Sequence, residues 1–208
     1  MLKKTVSGMP LLGAAAVFMA ATACGTLPSP EGVAQANVTD IASIDRGKYL
    51  VTTMMCNDCH TPWVMTENGP GPDMTRMLSG HPEDLPMPPP PNLGEGPWVW
   101  MAGATNTAFA GPWGISYAFN LTPDVNTGLG IWTEDMFVRA LRTGRHMGVS
   151  RPIQPPMPWP FISKLTDEDL KAIYAYLRTI PPIHNRVPDY MEPHEVEKMK
   201  KDAAGSVQ

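Results

Sequence analysis

Apolar residues follow three different patterns along this chain. The first is a nearly unbroken run from Leu11 to Ala23, with Lys3 and Lys4 ahead of it and Cys24 behind it. Residues 24–40 are small and polar and include Pro28, Pro30 and Gly32, a composition that predicts a flexible linker. The second pattern has helical spacing. Ile44, Gly47, Leu50, Val51 and Met54 recur on one face, with Asp45 in the first turn, and predict a helix that runs into Cys56. A cap at Thr133, followed by Glu134 and Asp135, opens another helix that carries Phe137, Ala140 and Leu141 until Gly144 stops it. The best-defined helix follows Thr166. Asp167, Glu168 and Asp169 suit its positive end, and Leu170, Ile173, Tyr174 and Leu177 line one face up to Pro181 and Pro182.

The third pattern fills residues 61–117. Gly69-Pro70-Gly71-Pro72, the run from Pro86 to Pro91, and Gly94-Glu95-Gly96-Pro97 exclude long helices and central strands. At most a short helix fits, near Asp73 to Ser79. Trp63, Trp98, Trp100, Phe109, Trp113 and Tyr117 make the stretch too apolar for a disordered linker, so an ordered wrap is expected, with Pro88 to Pro91 as a stiff polyproline strap. The expected fold class is all-α, with this Pro/Gly-rich wrap as a long inserted loop. The expected domain covers residues 41–190, and residues 191–208 read as a polar tail, frayed from Asp202 to Gln208.

Composition sharpens this picture. A chain of 208 residues fits one domain with tails better than two, and 24 Pro with 18 Gly require much irregular backbone. The basic start, the apolar run and the small residues before Cys24 form an export signal over residues 1–23. That run is short of the roughly 20 residues a bilayer span needs, so no transmembrane helix is expected in the mature protein. Ala21-Thr22-Ala23-Cys24 resembles a bacterial lipobox and predicts a lipid anchor on Cys24, with Gly25 favouring the outer membrane. The alternative is ordinary cleavage there or at Ala34-Gln35-Ala36. The formal charge of −4 becomes nearer −6 once Lys3 and Lys4 are removed. Such a balance excludes nucleic acid as a partner class.

The chemistry lies in Cys56-Asn57-Asp58-Cys59-His60. Two thiols separated by two residues can form thioethers with the two haem vinyl groups, and the adjacent histidine then meets the iron. A zinc site competes, but it needs two more ligands at matching spacing, and His81, His146, His184 and His194 form no paired motif. A thioredoxin-like dithiol also competes, but it needs a preceding strand, whereas a helix leads into this motif. The sixth iron ligand decides between closed electron carrier and open site. Met54 and Met55 adjoin Cys56 and are badly placed to cross the ring, and Met136 lies on a packing helix. Met157 stands apart, because Pro155, Pro156, Pro158 and Pro160 fix the backbone that presents its thioether. His146 and Met147 are the rival ligands.

With the motif, the Met157 loop and the last helix in place, the chain resembles a class I cytochrome c. The strings Asn120-Leu121-Thr122-Pro123-Asp124, Thr127 to Trp132, Phe137 to Gly144, Pro156-Met157-Pro158 and Ala172 to Arg178 are also similar to the cytochrome subunits of membrane-bound alcohol and gluconate dehydrogenases. Those subunits carry three haem motifs, whereas this chain has one. The resemblance implies cytochrome c-like helices around one covalent haem c, with His60 and Met157 as axial ligands and the first and last helices crossing near Gly47. It implies an electron carrier, not an enzyme, that takes electrons from a dehydrogenase or quinol chain and passes them to an oxidase or another cytochrome. Trp159 and Asn120 are expected to hydrogen-bond haem propionates, and Arg151 to pair with one. The expected location is the periplasmic side, lipid-anchored to the membrane. The alternatives are a haem subunit of a larger dehydrogenase, and a haem enzyme or gas sensor with an open iron.

Overall fold

A computed structural model describes residues 31–92 and 96–205. The export signal, Cys24 and the first part of the expected linker lie outside the described residues. Helix α1 spans Glu31–Thr53 and so begins well before Ile44. Residues 31–40 are therefore helical and not a flexible linker. Pro30 is the last proline before the motif, so no ring interrupts the backbone hydrogen bonds beyond it. Met55, in the left-handed conformation at φ 59°, breaks the path between α1 and the short α2, Cys56–His60.

Three further helices complete the helical core. They are α3, Glu134–Thr143, α4, Trp159–Ile162, and α5, Asp167–Leu177. Two of them are as predicted, and one, α4, starts inside the proline-rich turn where no helix was expected. The expected caps are in place. Thr133 accepts the Met136 N–H, Thr166 accepts the Asp169 N–H, and Gly144 ends α3 at φ 64°. Helix α1 crosses α5 so closely at Gly47 that a Cβ there would lie 1.9 Å from the Ala172 carbonyl oxygen and 2.8 Å from the Tyr176 Cβ. Around this crossing Leu50, Val51, Leu129, Trp132, Phe137, Leu141, Leu170, Ile173 and Leu177 form one buried core.

The chain is not all-α. Residues 61–117 hold two small antiparallel sheets. Strand β1, Trp63–Thr66, pairs with β2, Gly69–Pro72. Strands β3, Met101–Ala102, β4, Ala108–Gly111, and β5, Gly114–Tyr117, follow in the order β3-β4-β5. Proline excludes central strands of large sheets, but a two-stranded hairpin has only edges, where it is tolerated. The short helix near Asp73 is a 3-10 turn, Met74–Arg76, capped by the Asp73 carboxylate.

The polar tail is also corrected. Residues Pro193–Gly205 form helix α6, which opens on a proline at a position where a missing N–H costs nothing. Val196 is its buried residue, and Met191 just ahead of it exchanges backbone hydrogen bonds with Ile115 of β5. Asp202 therefore lies in a helix and not in a frayed end. Among the described residues no helix is long and apolar enough to cross a membrane.

Candidate haem site

Cys56 and Cys59 lie three residues apart on α2, so both thiols project from one face of a single helical turn. Both are free and half-buried. Burial pushes the Cys56 thiol up to about 11 and raises that of Cys59 as well. A redox-active dithiol needs a thiol shifted the other way.

His60, next along, is buried. Burial lowers its pKa, so the ring is a neutral imidazole. Its Nδ1 lies 2.7 Å from the Phe119 carbonyl oxygen. A carbonyl can only accept, so Nδ1 carries the proton and Nε2 keeps a free lone pair for a metal. The surrounding backbone is pinned. Gly80 N–H donates to the His60 carbonyl, the Thr61 hydroxyl donates to Asn57 Oδ1 at 2.8 Å, and the same hydroxyl accepts the Leu78 N–H. From the other side the Asn106 amide donates to the Asp58 carbonyl.

Met157 sits half-buried in the proline-rich turn, where its N–H donates to the Gln154 carbonyl, and it packs against the core. Met136 and Met147 pack against the same core. The His146 ring meets Trp132 edge-on at 5.0 Å and Phe119 at 5.3 Å. It thus joins the aromatic group whose Phe119 backbone supports His60.

The three expected propionate partners fare differently. Asn120 is wholly buried, and its side chain is consumed within the protein. Its Oδ1 accepts the Thr122 N–H and hydroxyl, and its Nδ2 donates to the Ile183 carbonyl and Thr127 hydroxyl. Asn120 is therefore a lock on the loop that carries Phe119, and not a propionate donor. Trp159 is half-buried and packs against Gly144, where a Cβ would come within 2.3 Å of the indole. Arg151 is exposed, and its carbonyl accepts the His146 N–H.

Two groups that the sequence reading passed over lie next in sequence to the residues that frame His60. Among the described residues the Trp63 indole N–H and the Ser79 hydroxyl are buried without a partner. Trp63 follows His60 by one short step, and Ser79 precedes the Gly80 whose N–H binds His60. A buried donor left unpaired costs roughly 1–3 kcal/mol, so both await an acceptor that the polypeptide does not supply. Paired thiols, a neutral imidazole with Nε2 free and two orphaned donors fit haem with its acidic propionates.

Comparison with known proteins points the same way. The family model for cytochrome c matches residues 44–181. The cytochrome c subunit of the quinone-dependent alcohol dehydrogenase of Gluconobacter oxydans is 30% identical over 83% of this chain and 29% of its own length. The cytochrome subunit of fructose dehydrogenase from Gluconobacter japonicus is 30% identical over 66% of this chain and 21% of its own. The cytochrome c subunit of gluconate 2-dehydrogenase from Pantoea cypripedii is 42% identical over 32% of this chain. In each case the matched part is less than a third of the relative's length.

Proposed function

Since this chain belongs to the cytochrome c family and carries haem c at Cys56 and Cys59, we propose that it is an exported electron carrier whose iron is held between His60 and Met157. Haem c supplies a one-electron ferrous–ferric couple. His60 holds one axial position through Nε2, with its Nδ1–H fixed on the Phe119 carbonyl. Met157 holds the other with a neutral thioether, which together with apolar burial favours the ferrous state and a fairly high potential. The observation that carries this reading is the His60–Phe119 hydrogen bond, because it leaves the metal-binding nitrogen free and oriented.

The test is the visible spectrum of purified ferric and ferrous protein, wild type beside Met157→Ala. A His/Met carrier shows the weak long-wavelength sulfur-to-iron band, and the variant loses it and binds carbon monoxide. A wild type that lacks the band and binds carbon monoxide at once has an open iron, and simple electron transfer is then refuted in favour of a haem enzyme or sensor.

Location belongs to the same reading. Residues 1–23 direct export, and acylated Cys24 tethers the domain on the periplasmic side, where it meets a dehydrogenase or quinol chain as donor and an oxidase or other cytochrome as acceptor. Incorporation of labelled palmitate that persists in Cys24→Ala would rule out the tether. A second reading, as the haem subunit of a larger dehydrogenase, is favoured by Trp98, which is 75% exposed, beside exposed Val99 and Trp100. Large exposed apolar groups of this kind mark a protein contact. Detergent extraction that yields this chain alone counts against it.

A further inference from the structure

The loop that carries Met157 has little to tie it down. Pro155, Pro156 and Pro158 have no N–H, so this backbone is anchored from outside chiefly through its carbonyls. Among the described residues two hydrogen bonds reach residues 154–157. One is internal, from the Met157 N–H to the Gln154 carbonyl at 3.3 Å. The other comes from Ser116 of β5, whose hydroxyl donates to the Pro155 carbonyl at 2.6 Å. Ser116 is buried and is itself held in place. In the turn between β4 and β5 the Trp113 indole folds back on Gly111, where a Cβ would lie 2.5 Å from the ring, and its Nε1–H donates to the Ser116 oxygen at 3.2 Å. That bond occupies the acceptor side of the hydroxyl and leaves its proton for Pro155. The Tyr190 hydroxyl donates to the Trp113 carbonyl. Met191 exchanges backbone hydrogen bonds with Ile115 at 3.0 Å in both directions. Gly114, at φ 104°, makes room for this, since a Cβ there would lie 2.0 Å from the Met191 carbonyl oxygen. The Pro/Gly-rich wrap and the approach to α6 thus converge on one hydroxyl.

We propose that Ser116 is the positioning residue of the distal ligand, and that the inserted wrap holds the Met157 sulfur toward the iron through the Pro155 carbonyl. The inference rests on the reading of Met157 as an axial ligand. A closed loop keeps the Ser116 bond, and a loop that has swung its sulfur away loses it, so the bond lowers the fraction of protein that is open. A hydrogen bond of ordinary net strength changes such a fraction about fivefold. An added base binds only to the open form, so its apparent affinity scales with that fraction.

The test is imidazole titration of the haem-loaded ferric protein, followed by loss of the sulfur-to-iron band. Ser116→Ala should bind imidazole about fivefold more tightly than wild type. Ser116→Thr keeps the hydroxyl in a residue that strands accept, and should restore the wild-type affinity. Trp113→Phe keeps a ring and loses the N–H, and should tighten binding about twofold. Thr166→Ala removes the cap of α5 and costs stability away from the loop, and should leave the affinity unchanged. Equal affinity in Ser116→Ala and wild type overturns the positioning role, while the band still supports Met157 as ligand. An equal gain in Thr166→Ala overturns it too, because the effect is then a general loosening of the fold. A wild type without the band refutes the Met157 reading itself. If Ser116→Ala yields no haem-loaded protein, Trp113→Phe decides, and an affinity there equal to wild type overturns the role.

Discussion

Replacing Gly47 by alanine sets two effects of opposite sign against each other. Within an isolated helix the change is favourable by about 1 kcal/mol, because alanine loses less backbone freedom than glycine. At the crossing of α1 and α5 the new methyl would stand 1.9 Å from the Ala172 carbonyl oxygen and 2.6 Å from its carbonyl carbon, where ordinary contact begins near 3.4 Å. Both obstructing atoms are backbone, and the third neighbour, the Tyr176 Cβ, is fixed to backbone, so no flexible side chain can swing aside. The helices must therefore separate. Overpacking of this kind costs about 1–3 kcal/mol, and a rigid helix backbone puts the cost near the upper end. The net expectation is a loss of about 2 kcal/mol, or a melting point lower by about 4–8 °C for a domain of this size. Thermal unfolding of the haem-loaded ferric protein, followed by far-ultraviolet circular dichroism, measures it. A melting point that rises would show that helix propensity outweighs the crossing and that α1 and α5 do not approach as described.

Three further outcomes follow, two from the site and one from the pair that joins α1 to α5. Asn120→Leu strips partners from the Thr122 N–H and the Ile183 carbonyl in a buried place and should cost about 3 kcal/mol or more in chemical denaturation. The same variant should also raise the reduction potential, because slackening the Phe119 carbonyl weakens the hydrogen bond that makes His60 a stronger donor to iron; an unchanged potential would uncouple Asn120 from His60. Asp169, hydrogen-bonded to the Arg46 guanidinium at 2.8 Å, has its carboxyl held below the ordinary value of 3.8. The unfolded chain therefore takes up this proton first as pH falls, and the stability that the pair contributes is present above about pH 4 and lost below it. Asp169→Asn should flatten the acid limb of a stability–pH profile, and equal acid slopes in the two proteins would show that the pair contributes nothing.

Local signals were read correctly from the chain, and of the distant ones the Gly47 crossing, implied by the family resemblance, was met while the others were missed. Thr133, Gly144 and Thr166 act on residues within one turn, and the Cys56–His60 string carries its geometry in its own spacing. Asn120 misled because its partners at Ile183 and Asn185 lie some sixty residues away, and a polar residue near a motif reads equally as ligand or lock. The Phe119 carbonyl that orients His60 is a backbone atom, and no side-chain pattern announces it. The hairpins of residues 63–117 were hidden by their prolines and glycines, which rule out long strands but not four-residue ones. Helix α6 was hidden by its charge, since a single buried valine is too little periodicity to stand out.

The stretch between α5 and α6 has no regular structure, yet Ile183 holds the Asn120 side chain and the Asn185 amide donates to the Ser79 and His81 carbonyls. Both keystones of the proximal wall thus come from a stretch that follows the motif by more than a hundred residues. A newly made polypeptide offers Cys56, Cys59 and His60 on an open turn long before residues 183–185 arrive. Forming the thioethers and fixing the histidine are therefore separable in time: the thiols can react while the wall is still unbuilt, and the finished wall then sets the electronic character of an iron already in place.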